Sequence, residues 1–206
     1  MTRVAPVAAH HNPYEARNTV NDHRRDARAA GALLITATVA GVVVANPILG
    51  PALAAPVDIV GIAADPLRIY LGSLFHLLGS AACVGIVLAL YPVLRLRNPA
   101  LAVGSVAFRA IEVTFYVIGV VGLLLLVALG QEAASSGGES SAFFAHATSL
   151  LAAARTSIGF VAAPMFAGLG TLLYIGALHR SALVPRWLTV TGFLTGGGML
   201  VAAGVV

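Results

Sequence analysis

Arg109 and Glu112 stand three residues apart in an otherwise apolar run, and Tyr116 follows one turn later. On a helix this spacing puts all three on one face, where guanidinium and carboxylate are within pairing reach. Such a set has acid–base chemistry available to it. Glu112 would carry the proton, and Arg109 would hold an anion or tune the carboxyl. Read as structure instead, the pair neutralises itself and ties helices together, with Arg109 reaching toward a membrane surface. Both readings stay open at this level.

His76 and Arg155 are the other polar candidates in or beside apolar runs. His76 reads either as a hydrogen-bonded interior residue or as a proton or polar-ligand group. A haem would need a second axial ligand at matching depth, and neither His146 nor His179 falls there. Arg155 reads as a headgroup contact, a partner for an outer acid, or part of a ligand site. No spacing of His, Asp or Glu makes a metal set, and no cofactor is expected. The single cysteine, Cys83, excludes an intrachain disulfide and a Cys-rich metal site. There is no lysine, which removes Schiff-base chemistry at that residue.

The elements that position these residues follow from composition. Of 206 residues, 59% are hydrophobic and 10% charged, against about 25% charged in a soluble domain. The reading is an all-α polytopic transmembrane bundle. Residues 1–27 are a polar tail expected to be flexible, and 28–206 form one membrane domain. Five spans are expected, at about 29–49, 69–94, 101–129, 156–178 and 188–206. The apolar stretch 143–178 is too long for one crossing of a bilayer about 30 Å thick. It is divided at Arg155, which leaves 143–155 as an amphipathic segment on the outer surface. Prolines at 47, 51, 66, 99 and 185 punctuate the turns.

Arginine sets the orientation. Nine arginines fall in the tail and in the turns at 95–97 and 180–186, whereas only Arg68 falls in the opposite loops. A cytosolic N-terminus in a bacterial plasma membrane is therefore expected. The net charge of +4 is then a topology signal, not a nucleic-acid footprint. Ala52-Leu53-Ala54 has the form of a signal-peptidase site, but the apolar run before it exceeds a typical signal core. Gly192 and Gly196 form a GxxxG pair, and Ala37/Gly41 and Gly79/Cys83 are further small-residue pairs. Such pairs serve either packing within the bundle or association with a second copy or a larger complex. Membrane lipids are the other expected partners.

Three blocks resemble one bacterial membrane family, that of domain of unknown function 4386 (DUF4386). They are Asp26 to Leu34, Tyr91 to Glu112 with its Phe108-Arg109-x-x-Glu112 motif, and Ser181 to Phe193 with Pro185-Arg186-Trp187-Leu188. The resemblance implies a multi-pass membrane protein and carries no activity with it. It also implies an acidic residue early in the second span, where this chain has His76, and one more C-terminal helix. The expected form is thus an odd five-span bundle or a six-span fold cut short at Val206. Two functions are carried forward. One is a small transport, sensing or accessory subunit. The other is a membrane-embedded enzyme on a lipid or isoprenoid-like substrate, with Glu112 as acid/base and Arg109 as anion partner.

Overall fold

The computed structural model describes residues 13–54, 56–137, 141–181 and 184–205. The first part of the polar tail, residues 1–12, lies outside them. From Pro13 the chain is helical: α1 spans Pro13–Ala37 and passes into a π-helical stretch, Thr38–Ala45, then α2, Asn46–Leu49. A short 3-10 turn at Pro51–Leu53 leads to α3, Ile59–Ala64. Three long helical runs follow: α4, Pro66–Arg95; α5, Pro99–Ser135; and α6, Ser141–Ser157, which continues through a π turn at Ile158–Ala162 into α7, Ala163–Ser181. The last helix is α8, Arg186–Val205. The described residues contain no strand.

Four of these runs are long and apolar enough to cross a membrane: Arg24–Leu49, Pro66–Arg95, Pro99–Ser135 and Arg186–Val205. The expected fourth span, 156–178, falls on the π turn and α7. The segment 143–155 does not separate from it. The chain stays helical across Arg155, and α6 packs along the late half of α5.

Prolines explain the two π stretches. Pro47 and Pro164 each lack the N–H that would bond four residues back, to Val43 and to Phe160. In each case the widened turn comes just before the proline, so the helix continues instead of breaking. Side-chain caps start α3, α4 and α5. Gly61 N–H donates to Asp58 Oδ1 at 2.9 Å, Arg68 N–H to Asp65 Oδ1 at 3.3 Å, and Leu101 N–H to Asn98 Oδ1 at 3.1 Å. Arg68 also donates through Nε to the carbonyl of Ile48 at 2.9 Å. That satisfies a backbone group at the end of α2.

Packing follows chain order: α1 on α4, α4 on α5, α5 on α7, and α7 on α8. The α5 helix is central and also carries α3 and α6 on its late half. Small residues set the closest approaches. Gly79 lies against Gly41 and Ala37, and Gly168 lies against Gly196. Two apolar clusters close the ends. At the α3 end Leu49, Ile62, Ile69, Leu123 and Val127 pack together. At the opposite end Leu94, Ala102 and Ala177 do so.

Candidate functional site

Between these two clusters lies a layer of polar side chains. Three helices supply it, each from one face. On α5 the stripe is Ser105, Arg109, Glu112 and Tyr116. On α4 it is Ser73, His76, Ser80 and Cys83, and on α7 it is Thr171 and Tyr174. Steps of three and four residues keep each stripe on one side of its helix.

Arg109 Nη1 donates to Glu112 Oε2 at 2.6 Å, the one salt bridge among the described residues. The side chains are 13% and 3% exposed. Arg109 Nη2 reaches across to α7 and donates to Thr171 Oγ1 at 2.9 Å. The guanidinium also stands 6.0 Å from the ring centre of Tyr174, at the outer limit of a cation–π contact. Tyr116 lies one helical turn beyond Glu112 on the same face of α5. On its other side the Tyr116 ring meets His76 edge to face, with centroids 5.0 Å apart. Arg155 lies within electrostatic range of His76, and Cys83 within range of both Arg109 and Glu112. Below the pair, Phe166 of α7 stacks on Phe108 and Phe115 of α5.

All five residues singled out from sequence therefore sit in or beside one layer. Thr171, Tyr174 and Ser73 were not anticipated. Their signal was present as three-residue spacings within apolar runs, but single hydroxyls are too common in membrane helices to stand out. Asp58 and Asp65 cap helices. Among the described residues no three His, Cys, Asp or Glu side chains gather as a metal site would require.

Among the described residues three side-chain polar atoms are buried with no hydrogen-bond partner: Ser73 Oγ, Thr148 Oγ1 and Arg109 Nε. Two recesses of about 640 Å³ flank the α5–α6 pair. One lies between α3 and α6 and includes Thr148; the other lies along Leu125, Leu129 and Leu150. Neither is lined by Arg109, Glu112, Tyr116 or His76. The layer holds a titratable carboxyl hydrogen-bonded to Arg109, and neither recess reaches it.

The family comparison meets this geometry at its centre. A family model described as a domain of unknown function, DUF4386, matches residues 29–206. The chain belongs to the DUF4386 family. The matched region contains the whole polar layer and every helix that builds it. No curated protein and no solved structure matches the chain. DUF4386 membership thus fixes kinship for this apolar helical bundle and leaves its activity to be argued from the layer itself.

Proposed function

We propose that this protein is a small sensing or transport bundle of a bacterial plasma membrane, in which Glu112 takes up and releases a proton inside the membrane. The observation that carries the reading is the buried hydrogen-bonded set Thr171–Arg109–Glu112, with Tyr116 one turn beyond Glu112 and His76 edge to face on Tyr116. Glu112 is only 2% exposed, with a phenol one helical turn away and an imidazole against that phenol's ring. A lone charge at mid-bilayer costs about 2.5–3.5 kcal/mol on insertion scales, so the pair is stable only while both members are charged. Protonating Glu112 removes the counter-charge of Arg109, and the bundle must then repack around an uncompensated guanidinium. That coupling is what a sensor or a proton-linked carrier needs. A lipid-modifying enzyme centred on Glu112 is less well supported, because the flanking recesses do not reach the carboxyl. The arginine asymmetry supports a cytosolic N-terminus, which puts the α3 end outside the cell.

The test is proton uptake by the purified protein after a small pH jump, read with a soluble pH dye. Wild type should bind a proton that Glu112→Gln does not, while both remain folded by circular dichroism. Equal uptake by the two proteins across the pH range would reject the reading.

A further inference from the structure

Proton uptake at Glu112 makes no use of Thr148 or of the recess beside it. We propose that the recess between α3 and α6 binds one phospholipid of the leaflet at the α3 end, with the Thr148 hydroxyl donating to an acyl-ester carbonyl and the acyl chain lying on the apolar wall.

Threonine hydroxyls elsewhere in this bundle are satisfied. Among the threonines whose side chains are described, Thr36, Thr38, Thr114, Thr156, Thr191 and Thr195 each donate to the carbonyl four residues back. Thr171 accepts from Arg109, and Thr189 donates to the carbonyl of Arg186. Thr148 is the exception. It is 6% exposed, and its Oγ1 has no partner, not even the Phe144 carbonyl one turn back. A buried hydroxyl in that condition is costly unless an acceptor from outside the chain fills the place.

Thr148 lines a recess of about 640 Å³, within the range of about 300–1,000 Å³ usual for small-molecule sites. Ser136, just past α5, and Ser141, at the start of α6, make one end of it polar. The walls are apolar, with Val57, Ile59 and Val60 on one side and Phe144, Ala145 and Ala152 on the other. The remaining hydroxyls of the lining are spent or at the surface. Ser136 and Ser149 donate to the carbonyls of Ala133 and His146, and Ser141 is exposed. Val60, Ala145 and Ser149 are exposed as well, so the recess opens on the flank of the bundle. In a chain that spans a membrane, that flank meets lipid. Thr148 lies seven residues along α6 from Ser141, roughly 10 Å. That distance carries it through an interfacial layer roughly 5–8 Å deep on each side of a bilayer. Polar heads give way to acyl chains at this depth, and ester carbonyls are the acceptors found there. Other occupants match less well. A buried water wants two to four polar partners, whereas one buried hydroxyl is unspent here. A phosphate wants a cation, and no arginine or histidine is among the described residues lining the recess. An ester carbonyl accepts one hydrogen bond without charge, and its chain covers the apolar wall. The second recess has Glu132 as its one polar side chain among the described residues, and an ionised carboxylate has no hydrogen to give an ester.

The experiment uses the full chain, stripped of lipid in detergent. It is titrated with a diester phosphatidylglycerol, or with the diether analogue that keeps head and chains but lacks the carbonyls. Native mass spectrometry counts the bound molecules. Wild type should hold one diester molecule about fivefold more tightly than the diether, the worth of one hydrogen bond. Thr148→Val keeps the side-chain shape and should bind both lipids at the diether level, while Thr148→Ser should keep the preference. Ala145→Trp fills the recess and should remove the tightly held molecule. Ala147→Trp, in the second recess, should leave it in place. Should Thr148→Val fold poorly, Thr148→Ala and Ala145→Trp carry the same test. Equal affinity of wild type for diester and diether overturns the site. So does a preference that survives loss of the Thr148 hydroxyl, or tight binding that survives Ala145→Trp.

Discussion

Gly79 of α4 lies against Gly41 of the first helical run, so close that a Cβ on Gly79 would fall 3.0 Å from the Gly41 nitrogen and 3.3 Å from the Ala37 carbonyl oxygen. Two small-residue pairs that are separate in sequence thus form one crossing. Backbone meets backbone there, and neither chain has a flexible side-chain end that could give way.

Replacing Gly79 with valine should therefore push α1 off α4 and cost about 1–3 kcal/mol, the range for overpacked interiors. Gly176→Ala is the control, because nothing lies within 4 Å of a Cβ there. Thermal unfolding in detergent should show a lowered midpoint for the first variant and an unchanged or slightly raised one for the second. An unshifted Gly79→Val would mean that the crossing is not tightly held.

The Arg109–Glu112 pair makes a non-additive prediction. Arg109→Met leaves a buried carboxylate alone, and Glu112→Met leaves a buried guanidinium alone. Each should destabilise by about 3–5 kcal/mol, the usual cost of breaking a buried pair from one side. Removing both charges together should cost much less than the sum, since the remaining apolar side chains suit the surroundings. A double-mutant cycle on folded yield and unfolding midpoint reads the coupling. Additive losses would mean that the two side chains are not paired in the folded protein.

Much of this fold is legible because the physics is local. The turns follow from proline and from Asp58, Asp65 and Asn98, whose side chains cap the next helix. The Arg109–Glu112 pair is legible because i,i+3 geometry needs no knowledge of the fold. What stays hidden is relational. That Tyr116 meets His76, or that Arg109 bonds Thr171 sixty-two positions away, depends on which helices become neighbours. Hydropathy alone does not encode that. The continuity of α6 into α7 is hidden for another reason. A polar Arg155 within an apolar stretch looks like a boundary, and only packing against the extended α5 makes one long helix pair the better solution.

Orientation is testable without any activity. Ser136 ends the turn after α5, at the end where α3 lies, and the arginine-rich turns lie at the other. A reporter that is active only outside the cytosol should work when fused at Ser136 and fail when fused at Asn98. The reverse pattern would invert the bundle and place the α3 end in the cytosol.

The Gly192/Gly196 pair discriminates between packing and association. A Cβ on Gly192 would fall among the side-chain atoms of Ile175, and one on Gly196 would lie 3.1 Å from Leu172 and 3.3 Å from the Gly168 carbonyl oxygen. Both glycines thus face α7 of their own chain. Leucine at position 192 must displace Ile175, which is 6% exposed, and should cost about 1–3 kcal/mol. If the pair serves the bundle, Gly192→Leu lowers the unfolding midpoint of each chain and leaves oligomeric state by light scattering unchanged. If a second copy docks on these glycines, the same variant dissociates the oligomer with little loss of chain stability. Leu194, 72% exposed on the face of α8 turned away from α7, supplies the complementary probe. Leu194→Trp should disturb association through the outer face of α8 and spare the α7–α8 contact. A change in oligomeric state for Leu194→Trp but not for Gly192→Leu would place any self-association on the outer face of α8.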